Sequence, residues 1–295
     1  MNNRKQCPIC NGESNSPFLV CKDNTVSKEN FKIVSCDDCG FKFTNPIPEE
    51  NKIGDYYKSE EYISHSNTKK GLVNKAYQTV RNITLKQKEN LISEGRAKGI
   101  LLDIGCGTGE FLNYCIQSGW NGEGIEPDES AQKLGKENYG ITVSPESRLS
   151  DISEKTIDVI TMWHVLEHVY HLKERVETLK RILKDDGTIY IAVPNYESYD
   201  AIKYKEHWAA YDVPRHLYHF GKSDIKRLME KSGMYVDAIH PMKFDSFYVS
   251  MLSEKYSTGK INFVSALMTG LKSNSEGAKT MNYSSLIYKI KKQPK

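Results

Sequence analysis

No run of about 18 apolar residues occurs in the 295-residue chain, so no membrane-spanning helix is expected. The opening stretch, MNNRKQCPICNGES, lacks the apolar core of a secretory leader. Neither sign of charge prevails. The 41 basic and 38 acidic residues leave +3, too little to call for a nucleic-acid partner. The lysines of the closing YKIKKQPK read as a solvated end. These absences leave a cytoplasmic protein as the expectation. In a reducing compartment its seven cysteines should be thiols or metal ligands rather than disulfides.

What is present is enough for a globular core: 38% hydrophobic and 10% aromatic residues. The length allows one large domain with a small appendage, or two ordinary ones. Four cysteines form two pairs, CPIC (Cys7, Cys10) and CDDC (Cys36, Cys39), with 25 residues between them. Each C-x-x-C turn offers two thiolates, and two turns complete the tetrahedron that zinc requires. Asn11 and Gly40 follow the second cysteine of each pair, and both tolerate the positive φ such turns demand. A redox C-x-x-C would need a following βαβ pattern, which is missing. Residues 1–45 are therefore expected to form a zinc ribbon, with the metal supplying much of the folding energy. Cys21 reads as a spare thiol.

Residues 46–97 read as a linker and an N-terminal helical segment. Pro46 and Pro48 in TNPIPEE prevent regular structure. Leu72, Val73, Ala76, Tyr77 and Val80 then recur at helical spacing, followed by Ile83, Leu91 and Ile92 in poorer phase. Tyr56, Tyr57 and Tyr62 form an aromatic cluster that fits a lid or plain packing equally.

From residue 98 strand and helix patterns alternate, the mark of a mostly parallel, doubly wound α/β sheet. The expected strands are GILLDI, NGEGIEP, ITVS, TIDVITMW and GTIYIAVPN, then MYVDAIHP and an antiparallel SSLIYKIK. LEHVYHLKERVETLKRILKDDG reads as one long amphipathic helix, and GKSDIKRLMEKSG as another capped by Ser223 or Asp224. The glycine turn carries Gly105, Gly107 and Gly109, with Glu at position 110, so the dinucleotide spacing G-x-G-x-x-G is not met. Asp103, ending the first strand, would repel a pyrophosphate but suits a cationic amino group. Glu126, ending the second, is placed to accept from both hydroxyls of a ribose.

LLDIGCGTG, GIEP, DVITMWHVLEHV and LKDDGTIYIAVPN together resemble the successive motifs of class I S-adenosylmethionine (SAM)-dependent methyltransferases, including the type 23, type 11 and ubiquinone O-methyltransferase-like groups. The resemblance covers about residues 98–295. It implies a seven-stranded Rossmann-like sheet with an antiparallel last strand and substrate-side insertions at about 196–221 and 245–280. It also implies SAM as cofactor, bound by Asp103, Gly105, Cys106, Gly107, Glu126, Met162 and Trp163. The acid that often meets the adenine amine has no clear match in SPESRLSD, where Glu146, Ser147 and Asp151 are the candidates.

Methyl transfer needs an aligned acceptor and, for an alcohol or amine, a base. Histidine suits that task near neutral pH. His164 ends the fourth strand beside the expected methyl group. The loop HWAAYDVPRHLYHF adds His207, Trp208, Tyr211, Arg215, His216 and His219. His164, His216 and Tyr211 are the catalytic candidates, and Arg215 is a candidate anion contact. HVLEH, residues 164–168, also fits the inverted zinc-peptidase pattern H-x-x-E-H. The buried strand before His164 sets that reading aside, since both histidines would have to share one helix. Ubiquinone-pathway enzymes carry a similar stretch associated with a divalent metal. Here His164 replaces its first acid, and Glu167 and His168 are alternatively a helix cap and a packing residue.

The expectation is a small-molecule methyltransferase with a structural zinc ribbon, acting on oxygen, nitrogen or carbon. A sugar or another biosynthetic intermediate is a suitable acceptor. Two alternatives stand: an RNA base methyltransferase with a ribbon, and a non-catalytic SAM-binding scaffold. The near-neutral charge argues against the first, and the intact glycine turn with Glu126 against the second.

Overall fold

The computed structural model describes residues 1–58 and 72–294, with the side chains of 72–77 outside the description. Tyr62 lies outside the described residues, as do the side chains of Leu72, Val73, Ala76 and Tyr77. Strands β1 (Asn15–Lys22), β2 (Asn30–Cys36) and β3 (Lys42–Thr44) form an antiparallel sheet behind the two cysteine turns. Helix α1 (Leu72–Ser93) leads into the main unit.

That unit runs β4 (Ile100–Ile104), α2 (Glu110–Gln117), β5 (Asn121–Ile125), α3 (Glu129–Tyr139), β6 (Val143–Ser144), α4 (Arg148–Asp151), β7 (Ile157–Trp163), α5 (Leu172–Ile182) and β8 (Leu183–Pro194). After it come α6 (Tyr199–Tyr204), β9 (Tyr218–His219), α7 (Lys222–Lys231), β10 (Met234–Pro241), α8 (Asp245–Thr258), α9 (Phe263–Thr280) and β11 (Ser285–Lys292). The seven-stranded sheet has the order β10-β11-β8-β7-β4-β5-β6. It is parallel from β6 to β8, and β11 runs antiparallel to both its neighbours.

The central strands carry continuous apolar runs because helices cover both faces. One face gathers Leu102, Ile104, Ile160 and Met162; the other gathers Leu101, Val159, Tyr190 and Ala192. All eight side chains are buried. Helix ends follow local chemistry. Asp128 caps α3 by accepting from the Ser130 N–H at 2.8 Å, and Gly140 closes that helix with φ +68°. For α7 the N-cap is Gly221, and Asp224, three residues on, reaches back to accept its N–H at 2.8 Å.

Three features go beyond or against the expectations. The ribbon sheet takes in a strand from beyond residue 45: β9 adds to β3 as a fourth strand, pairing Phe43 with Tyr218 and Lys42 with His219. Cys7, Ile9, Cys36, Phe41 and Phe43 share one buried cluster with Tyr218, Phe220, Ile225, Leu228 and Met229. The 46–49 linker is not a free tether, because Ile47 is buried and bridges to Asn2 through two backbone hydrogen bonds. The long helix beginning at Leu166 is broken. A single 3-10 turn (Leu166–His168) ends at extended Val169, and α5 starts only at Leu172. The Glu167 carbonyl accepts from the Leu217 N–H at 2.8 Å, which a continuing α-helix would require for its own ladder.

Candidate active site and metal centres

The glycine turn lies at the carboxyl end of β4, where an open α/β sheet leaves its crevice. Gly105 and Gly107 have φ of +69° and +55°, a region that costs other residues strain. A Cβ on Gly105 would lie 2.3 Å from Val165 Cγ2, so the turn and the β7 exit loop pack without a side chain between them. A Cβ on Gly107 would meet nothing within 4 Å, and this stretch of backbone faces open space. Cys106 turns the other way, its sulfur packed against Gly124. Glu126 holds the turn from β5. Its carboxylate accepts from the Gly107 N–H at 2.9 Å and the Asp128 N–H at 3.0 Å. Burial raises its pKa, against the pull of those two donors.

Asp103 is buried beneath the turn and accepts from Thr161 Oγ1 at 2.6 Å. Burial pushes its carboxyl up to about 7, with the Thr161 donor and the Lys88 charge resisting. Lys88, on α1, sits 4.3 Å over the Trp163 ring, and Trp163 meets Phe111 edge-on. Met162 is fully buried in the core, and Trp163 is partly buried. Glu146 pairs with Arg175, Ser147 precedes α4, and exposed Asp151 ends it.

His164 occupies the β7 exit with φ +57°, a left-handed conformation that non-glycine residues seldom adopt. Its Nε2 is 3.1 Å from Asp245 Oδ2, and its Nδ1 is 3.4 Å from Glu167 Oε1. Burial alone would lower its pKa, but the two carboxylates outweigh it and raise the value to about 9. At neutral pH the ring is therefore an imidazolium that donates, not a resting base. Asp245 opens α8 and had no sequence signal. No spacing linked it to position 164, and only the fold brings them together.

The histidine-rich loop is largely buried. Tyr211 is placed away from the glycine turn, buried against Trp208, His219 and Cys21 under the ribbon. His219 is buried on Thr44, with Nε2 3.1 Å from the hydroxyl. His207 lies at the surface near Glu206. The anion role expected of Arg215 is corrected as well. Its guanidinium is buried and already held by Asp212 at 2.5 and 3.0 Å, Asp23 at 3.1 Å and the Tyr56 carbonyl at 2.9 Å. Of the aromatic cluster, Tyr57 is within 2.9 Å of His168 Nδ1, and Tyr56 packs edge-on against Phe31.

Two donor sets could hold metal. The sulfurs of Cys7, Cys10, Cys36 and Cys39 all lie within 4.8 Å of one another, with Cys7–Cys39 at 3.6 Å and Cys10–Cys36 at 3.5 Å. A tetrahedral zinc with bonds of about 2.3 Å needs sulfurs roughly 3.8 Å apart, so the four thiols fit it. The second set is Glu167, His168 and His216, also within 4.8 Å. His168 Nδ1 faces the Arg215 carbonyl at 3.1 Å and His216 Nδ1 faces the Ala210 carbonyl at 2.9 Å. A carbonyl only accepts, so each Nδ1 donates there in the tautomer that leaves Nε2 as the ligand atom; Nε2 of His216 also lies 4.0 Å from Asp212 Oδ2. Glu167 is fully buried, and beyond the 3.4 Å approach of His164 Nδ1 its two oxygens have no closer polar partner among the described residues. Such a trio can hold a divalent cation.

Residues 78–239 match the family described as a methyltransferase domain. The chain belongs to that family. It is 24% identical over 157 residues to an uncharacterized methyltransferase of Staphylococcus carnosus, covering 50% of this chain and 76% of that protein. It is 30% identical over 107 residues to a ubiquinone biosynthesis O-methyltransferase of Actinobacillus pleuropneumoniae, covering 32% of this chain and 45% of that enzyme. The match thus spans less than half of the second relative. In fold the methyltransferase is similar to a SAM-dependent methyltransferase from Archaeoglobus fulgidus, with TM-score 0.50, 21% identity and coverage of 72% of this chain and 94% of that one. A phosphoethanolamine N-methyltransferase 2 of Haemonchus contortus, crystallised with SAM, gives TM-score 0.50 at 14% identity over 72% of this chain and 52% of its own. The chain thus joins a methyltransferase-domain family match to the sheet fold seen in SAM-dependent methyltransferases. No helix among the described residues is long and apolar enough to cross a membrane.

Proposed function

We propose that this methyltransferase acts on a small-molecule acceptor whose reacting atom borders His164, and that a structural zinc on Cys7, Cys10, Cys36 and Cys39 holds its ribbon. The observation that carries the reading is His164 itself. It is gripped by Asp245 and Glu167 at the end of β7, on the loop that packs against Gly105. SAM supplies the electrophilic methyl when bound. The chain's own part is to hold and orient. Glu126 suits the ribose hydroxyls, Asp103 the amino group, and the open backbone at Gly107 the thioether side of the cofactor. The fixed imidazolium of His164 is a donor that can orient the acceptor. A reducing, cytoplasmic setting suits these thiols: Cys7, Cys10, Cys36 and Cys39 cluster together, Cys21 and Cys115 are buried, and Cys106 is half-buried.

The test is turnover, read as release of the demethylated cofactor with a panel of hydroxyl and amine small molecules. His164→Gln is expected to lower it at least about a hundredfold while leaving SAM affinity unchanged. Unchanged turnover would remove His164 from the reaction. A pH dependence follows from Asp103. It is ionised above about 7 and neutral below, and only the ionised form attracts a cationic amino group. SAM affinity measured by calorimetry should strengthen as pH rises through about 7, and Asp103→Asn should abolish that rise.

A further inference from the structure

Helix α9 has one side that is already buried. Ala266, Thr269, Gly270, Ser273 and Gly277 face α8 and the body of the domain, and a Cβ on Gly270 would lie 2.5 Å from the Phe247 ring. The other side carries Phe263, Val264, Leu267, Met268 and Leu271, and each is at least half exposed. The extremes are Leu271 at 50% and Val264 at 73%. Ile261 extends the patch into the preceding turn. Single exposed apolar residues are ordinary, but five on one helix side, backed by a helix packed on its opposite side, mark an interaction surface.

Charge decides what the surface meets. Between residues 243 and 275 the only carboxylates are Asp245 and Glu254. Asp245 is held by His164. Glu254 is buried and accepts from Tyr204 at 2.8 Å and Ser265 at 2.5 Å. No acid in this span is turned outward, whereas Lys243, Lys260 and Lys272 are exposed around the patch. Glu276 is shared by Lys272 and Lys279, 3.2 Å from each, so that end is also net cationic. A second copy is a poor occupant. It would bring the same exposed lysines to the contact, with only Glu276, already shared by Lys272 and Lys279, to answer them. An anionic bilayer answers both features at once: acyl chains receive the apolar side chains and lipid phosphates receive the ammonium groups.

We propose that the exposed side of α9 docks this methyltransferase peripherally on anionic lipid surfaces. The contact is independent of the acceptor reading, although the same insertion begins at Asp245 and so ties the docked face to the His164 loop. The full chain is tested by co-sedimentation with vesicles of phosphatidylcholine alone and with a quarter phosphatidylglycerol. Anionic vesicles should bind at least about tenfold more tightly than neutral ones, and each of Lys260→Glu and Lys272→Glu should weaken that binding about fivefold or more. Leu267→Ser with Met268→Ser should weaken it at least about tenfold. These variants replace exposed side chains, and unchanged SAM binding and melting confirm that they fold. The proposal is overturned if the wild type stays in solution with both vesicles. It is overturned equally if light scattering finds a dimer that the Leu267/Met268 variant dissociates.

Discussion

Replacing Cys36 with serine is expected to release about one zinc ion per chain and to lower the melting temperature by at least roughly 10 °C. The reason lies in where the ribbon's apolar residues go. Cys36 is buried beside Cys7, Ile9, Phe41 and Phe43, and those side chains belong to the same cluster as Ile225, Leu228 and the lower sheet face. A ribbon that loses its metal therefore does not fray alone. It uncovers Tyr218, Phe220 and the α7 face, so several kilocalories per mole of metal-linked folding energy are drawn from the whole domain. Cys21→Ser is the control, because Cys21 lies in a separate cluster with Phe31 and Trp208 and should leave the zinc in place. Metal analysis of the purified protein, with a thermal melt, decides the matter. Wild-type protein purified free of metal yet fully stable would refute the ribbon assignment.

Glu126→Ala is expected to weaken SAM binding roughly tenfold to a hundredfold, the range for losing hydrogen bonds to a charged group. Two effects combine. The carboxylate is the intended partner of the ribose hydroxyls, and it also fixes the Gly107 and Asp128 N–H groups that shape the turn. Glu126→Gln separates them: it keeps an acceptor oxygen for one N–H but gives up the negative charge, and should fall between the wild type and the alanine variant. Gly105→Val offers a steric check, since its Cβ would collide with Val165 at 2.3 Å and φ +69° excludes a branched residue. Calorimetry that finds SAM bound equally well by Glu126→Ala and Gly105→Val would dismiss the cradle described for this turn.

The sheet was legible because periodicity and glycine punctuation act locally. Continuous apolar runs marked β4, β7 and β8, and Gly119, Gly140 and Gly233 closed helices with positive φ where the sequence places them. The positions of Asp103 and Glu126 were legible for the same reason: each lies at the end of a strand, β4 and β5, and strand ends border the crevice. What escaped was whatever depends on meeting across the fold. Lys88 and Asp245 reach Trp163 and His164 from distant elements, and nothing in their neighbourhoods announces it. The loop around His216 reads as substrate-facing because its composition is that of a binding surface. Its aromatics instead fill the seam beneath the ribbon, which a two-residue strand, Tyr218–His219, was too short to reveal.

That short strand also bears on how the molecule is made. Thr44 and His216 touch although 172 residues separate them, and closing a loop of that length costs about 4–5 kcal/mol of chain entropy. At ribosomal speeds of about 5–20 residues per second, the outer edge of β3 waits roughly ten to forty seconds for its partner to be synthesised. Throughout that interval Lys42–Thr44 presents unpaired backbone groups to other nascent chains. Fusions or truncations that end before residue 219 leave that edge permanently open, and they are expected to aggregate where the full chain does not.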